Sequence, residues 1–149
     1  MVDTYIKEGK EFVFDRLKEK LQVDEKYRAG LKDLMITAKL PLKLLLYQNM
    51  LNLLQDIVVD RKKIFIVTNG NREMQLNKIK QTEWHGLEQY LTVYFTDEFK
   101  PKPETDIIDL LIKDYNLQRR DILMVENSET DRICAEASGI DCLNVSNFL

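Results

Sequence analysis

From Lys62 onward, short continuous apolar runs alternate with amphipathic segments of helical period, and this alternation constrains the fold more than any other feature. "KIFIVT" (63–68), "TVYFT" (92–96), "DILMV" (121–125) and "DCLNV" (141–145) read as strands, and the first is continuous rather than alternating, as in a strand covered on both faces. Between them, "REMQLNKIK", "ETDIIDLLIKDYN" (104–116) and "TDRICAEAS" (130–138) read as helices, the last closed by Gly139. Strands alternating with helices imply right-handed crossovers and a parallel sheet. Residues 58–149 are therefore expected to form an α/β domain with a doubly wound, Rossmann-like, mostly parallel sheet.

The first 57 residues carry a different pattern. Ile6, Val13, Leu17 and Leu21 share one helical face with Phe14 beside them, and Tyr27, Leu31, Leu34, Met35 and Ala38 repeat the arrangement in a second helix. Pro41 suits the first turn of a third, leucine-rich helix running to about Asp56. Residues 1–57 are thus expected to be a small helical region ahead of the α/β domain.

A chain of 149 residues with 44% hydrophobic content can hold one domain with a real core and a small helical appendage. The net charge is −3, and no basic block interleaved with aromatics offers a nucleic-acid surface. The longest apolar-rich stretch, "LPLKLLLYQNMLNLL" (40–54), is interrupted by Lys43, Gln48, Asn49 and Asn52 and falls short of the roughly 20 residues that span a bilayer. "MVDTYIKEGKEF" is too charged for a signal peptide. No nucleic-acid or membrane partner is expected. Cys134 and Cys142 fit a reduced, cytoplasmic setting. His85 is the single histidine, which excludes a His-rich zinc site and a Ser-His-Asp triad using a second histidine, and "WHG" reads as a turn.

In open α/β sheets, ligands sit beyond the carboxyl ends of the strands. Those ends carry Thr68-Asn69-Gly70, Thr96-Asp97 and Glu126-Asn127-Ser128. Where a strand gives way to a helix N-terminus, the Thr68 hydroxyl and free backbone N–H groups suit an anion, although the same residues also suit an ordinary turn with an Asn cap. "FKPKPE" (99–104) places Lys100 and Lys102 in a proline-constrained loop, where a lysine could neutralise a phosphate or simply be solvated. "ENSETD" ending the third run could hold a metal or start a helix.

Taken together, "IFIVTNG", "FKPKPE" and "ILMVENSETD" followed by "ASGI", in this order and spacing, resemble the haloacid dehalogenase (HAD)-like hydrolase superfamily. The resemblance implies a magnesium-dependent phosphatase acting on a small phosphorylated metabolite through an aspartyl-phosphate intermediate. It implies phosphate binding by Thr68, Asn69, Gly70 and Lys100, with Lys100 rather than Lys102 as the motif lysine. Lys100 and Thr68 would be catalytic, and Asp131, Asn127 and Glu126 would form the Mg2+ site. Residues 1–57 match the family's helical cap in character and position.

Two departures shape the expectation. The family's Gly-Asp pair is Glu126-Asn127 here, so an amide stands where a metal-binding aspartate is usual. The nucleophile of the D-x-D-x-T motif has no counterpart, because no Asp-x-Asp occurs anywhere in the sequence; Asp15 in "EFVFDRL" fits a helix better. "MVDTY" resembles the segment that follows that motif, so the nucleophile strand, which lies mid-sheet in the family, is expected to be missing. The chain as given is then expected to be inactive and prone to self-association through unpaired sheet edges. The alternative is a non-catalytic binding or regulatory module that keeps the fold.

Overall fold

The computed structural model describes residues 13–149. The chain divides into two compact units, Met1–Lys39 and Leu40–Leu149. In the first, α1 (Val13–Leu21) and α2 (Tyr27–Thr37) are separated by a turn in which the Tyr27 N–H donates to the Asp24 carbonyl at 3.1 Å. Arg28 pairs with both Asp15 and Glu25 and lies 4.5 Å from the centre of the buried Phe14 ring. The expected apolar face of α2 is largely open, with Leu34 and Met35 exposed. Ile6 of the expected first helix lies outside the described residues.

In the second unit, Pro41 does not start a helix. Residues following it run extended, with Leu44–Leu45 (β1) in a two-residue parallel ladder against Thr82–Glu83 (β3). The Leu44 N–H donates to the Gln81 carbonyl at 2.8 Å, and Lys43 pairs with Glu83 at 2.9 Å. This pairing with a distant segment of the same chain claims the backbone that a helix would use, so the helix (α3, Gln48–Val59) begins only after the extended Tyr47. The hydrophobic pattern changes near residue 57, whereas the compact unit begins at Leu40; α3 therefore groups with the α/β unit.

The remaining elements follow the sequence period closely: β2 (Ile64–Thr68), α4 (Arg72–Lys80), β4 (Leu91–Phe95), α5 (Asp106–Tyr115), β5 (Leu123–Glu126), α6 (Glu129–Ser138) and β6 (Asp141–Asn144). The helix α4 starts where the Asn71 side chain accepts from the Met74 N–H at 2.9 Å. The helix α6 ends at Gly139, whose φ of 65° lets its N–H reach Glu136 O and the Ile140 N–H reach Ala135 O, both at 3.1 Å.

All ladders are parallel. β2 pairs with β4 from Ile64↔Leu91 to Thr68↔Phe95, and β5 pairs with β6 from Leu123↔Asp141 to Glu126↔Asn144. The strands form separate two-stranded ladders: among the described residues no strand joins β2–β4 to β5–β6. Both pairs nevertheless rest on one core. Ile107, Ile108 and Leu111 of α5 meet Cys134 and Ala135 of α6 and Ile140, with Phe65, Val67 and Tyr94 packed from one ladder and Ile122, Met124 and Cys142 from the other. The i, i+1, i+4 spacing of the α5 residues makes a single buried face, and the small Ala135 and Cys134 let α6 approach closely.

Candidate functional site

The hub is Asn69, directly after β2. Its side-chain carbonyl accepts from the Thr96 hydroxyl at 2.8 Å and from the Lys102 N–H at 3.1 Å, while its amide donates to the Lys102 carbonyl at 3.1 Å. Thr96, buried at the end of β4, also reaches the Thr68 carbonyl at 3.4 Å. One amide thereby fastens two strand ends and the proline-rich loop together. Because both of its polar ends are committed, the Asn69 side chain is a positioning group; what it leaves for an anion is the backbone around Gly70, exposed at φ 98°.

Lys102 closes the site from the other side. Its Nζ lies 2.5 Å from Asp131 Oδ1 and 3.1 Å from the Val67 carbonyl, and the Lys102 and Asp131 side chains are only 10% and 13% exposed. A nearly buried ammonium therefore joins the end of β2 to the first turn of α6. Lys100, the lysine expected from the K-P-x-P pattern, is exposed. Lysine precedes proline twice in "KPKP", and of the two it is Lys102 that is largely buried. Thr68 is half-buried, its hydroxyl 3.5 Å from the Asn69 carbonyl. Thr96 was not anticipated as a positioning residue; its signal is its place at the end of a strand parallel to β2.

The "ENSETD" segment has two jobs. The Ser128 hydroxyl accepts from the Asp131 N–H at 3.3 Å, so Ser128 caps α6 and presents Asp131 in its first turn. Glu126 is buried and accepts from Asn144 of the neighbouring strand at 2.8 Å, and Asn127 is exposed. Magnesium requires near-octahedral oxygen ligation, normally with more than one carboxylate or phosphate oxygen. Here Asp131 faces an ammonium, Glu126 is engaged by an amide, and Asn127 is neutral. Among the described residues no group of three or more His, Cys, Asp or Glu side chains gathers to hold a metal. Glu126, Asn127 and Asp131 therefore do not fit a magnesium site on their own.

Behind the site, the Cys134 thiol donates to the Glu104 carbonyl at 3.3 Å. Burial pushes this thiol above its usual range, only partly offset by Ser138 and then by the nearby Lys102 charge. Both cysteines are free.

No curated protein matches the chain. A hydrolase from Streptococcus pneumoniae TIGR4 is similar over 83% of this chain and 62% of its own, at 20% identity and a TM-score of 0.56. A HAD-superfamily hydrolase, subfamily IA, variant 1 from Geobacter sulfurreducens PCA is similar over 62% of this chain and 43% of its own, at 23% identity and a TM-score of 0.51. A "putative phosphoglycolate phosphatase" from Lactobacillus delbrueckii subsp. bulgaricus is similar over 66% of this chain and 40% of its own, at 19% identity and a TM-score of 0.51. At such identities the likeness is one of fold, and the chain spans less than two thirds of each of these structures. Among the described residues no helix is long and apolar enough to cross a membrane. The sequence model of the haloacid dehalogenase-like hydrolases matches residues 1–145, and the chain belongs to that family.

Proposed function

We propose that the ends of β2 and β4, the 99–104 loop and the start of α6 form a site for the phosphoryl group of a small phosphorylated metabolite. The observation that carries this reading is the nearly buried Lys102 ammonium, held between Asp131 and the Val67 carbonyl beside the Thr68-Asn69-Gly70 turn. A fixed cation, a strand-end hydroxyl and free backbone donors are the elements an anion of this kind needs. The phosphatase described among the structural neighbours supports the substrate class. In this reading Lys102, not Lys100, is the phosphate-facing lysine, Thr68 contributes its hydroxyl, and Asn69 holds both in register. The helices of the first unit, Val13–Leu21 and Tyr27–Thr37, are the part of the chain that would correspond to the family's cap.

Binding and hydrolysis separate here. Hydrolysis by an aspartyl-phosphate route needs a free carboxylate positioned to attack phosphorus, and magnesium to neutralise charge at the phosphoryl oxygens. Asp131 is held by Lys102, Glu126 by Asn144, and the sequence holds no Asp-x-Asp. We therefore propose that the 149-residue chain binds phosphate without turning it over. The second reading, a non-catalytic module of the same fold, is favoured by Asn127 at the family's acidic position.

Hydrolysis of p-nitrophenyl phosphate with and without magnesium tests the first proposal. No turnover is expected. Magnesium-dependent turnover that disappears in Lys102→Ala would overturn the claim of inactivity while supporting the site. Turnover equally lost in Lys100→Ala and retained in Lys102→Ala would overturn the lysine assignment.

A further inference from the structure

At the other end of the β2–β4 ladder, where the strands begin, lies a hollow of about 350 Å3 whose lining includes Arg61, Lys62, Lys63, Tyr90, Thr92 and Tyr115. Three consecutive cations reach one concavity because of how α3 ends. Arg61 takes the left-handed conformation (φ 56°), where glycine is the usual residue. Its N–H donates to the Val58 carbonyl and the Lys62 N–H to the Ile57 carbonyl, both at 3.0 Å. The chain thus turns sharply into β2 with its charges gathered. Lys63 Nζ sits 5.1 Å from the centre of the Tyr115 ring.

No carboxylate lines the hollow. The acids nearest in sequence, Asp60 and Asp114, lie outside its lining, and among the described residues Arg61, Lys62 and Lys63 take part in none of the ion pairs of the unit. Three charges without a neutralising partner, two phenols and the Thr92 side chain make a surface that favours a multivalent anion. The volume falls within the range of about 300–1,000 Å3 usual for small-ligand sites. The half-exposed Tyr90 adds a flat apolar surface beside the charges.

We propose that this hollow is a second binding site, separate from Lys102, for a small organic phosphate of mononucleotide size. Its phosphate would rest on Arg61, Lys62 and Lys63 and its planar body against Tyr90. The strand-end site could fail every test above without affecting this one, since the two share no residue.

The test is an amide-resolved NMR titration of the whole chain with AMP, and in parallel with uncharged adenosine, at about 150 mM KCl, where exposed charges are screened beyond roughly 8 Å. AMP is expected to shift the amides of residues 61–64 and 90–92, in the wild type and equally in Lys102→Ala, with adenosine far weaker. In the triple variant Arg61→Gln, Lys62→Gln and Lys63→Gln, whose changes are all on exposed side chains, affinity for AMP should fall by about tenfold or more. Shifts confined to residues 68–70, an equal response to adenosine, or an unchanged affinity in the triple variant would overturn the proposal. Should the triple variant misfold, the AMP–adenosine comparison on the wild type still decides.

Discussion

At the scale of single residues, the site rests on two polar side chains that cannot be exchanged cheaply. Removing Lys102 leaves Asp131 as a nearly buried charge without its partner, so Lys102→Ala should cost about 3 kcal/mol in urea denaturation, whereas Lys100→Ala should stay within about 0.5 kcal/mol. Asn69→Ala forfeits three hydrogen bonds and leaves the Thr96 hydroxyl with only its longer contact to the Thr68 carbonyl, a loss of about 2–3 kcal/mol, and should speed amide exchange at Lys102. The strand-end positions of Thr68 and Asn69 were legible in the sequence, whereas the pairing of Asp131 with Lys102 was not. The family resemblance pointed to Lys100, whereas the lysine that folds inward is Lys102, because burial is not written in a repeated Lys-Pro. Nor could the sequence show that Glu126 turns to Asn144, since that contact depends on the β5–β6 register.

The elements were legible where their hydrophobic period was long and obscure where it was short. β2, β4, β5 and β6 fall within a residue or two of the apolar runs, and α4, α5 and α6 within the amphipathic segments. β1 and β3 are two residues each and carry no period, and Pro41 misled because a proline suits both a helix start and an extended segment. The packing of α5 invites a direct check. Ile107 is fully buried against both ladders, and Ile107→Ala should lower stability by about 3 kcal/mol through lost contacts and the cavity left behind. The β2–β4 ladder also imposes a pH dependence. A hydrogen bond with Tyr115, followed by burial, pushes Tyr94 up to about 12 from its ordinary 10. A folded-state pKa raised above the unfolded one gives stability that is complete below pH 10 and lost as pH rises toward 12. Alkaline denaturation should therefore steepen across that window and flatten in Tyr115→Phe.

For the whole molecule, the consequential feature is that two parallel strand pairs share one core without sharing a ladder. Every strand of these pairs keeps one edge without a ladder partner among the described residues, and such edges invite pairing with other chains. We propose that the 149-residue chain self-associates through them, which light scattering should register as a mass rising with concentration; a constant monomer mass would count against it. The family's fold was readable from the order of its motifs, whereas the division into separate two-stranded ladders depends on strand pairing that no single segment reveals. The proposed function depends on the Lys102 site. Its most direct test is a titration of the labelled chain with phenyl phosphate, observed at the amides of Thr68, Gly70 and Lys102 in the wild type, Lys100→Ala and Lys102→Ala. Shifts at all three amides are expected in the wild type and Lys100→Ala, and their loss in Lys102→Ala. Silence at these amides, or an unchanged response in Lys102→Ala, would contradict it.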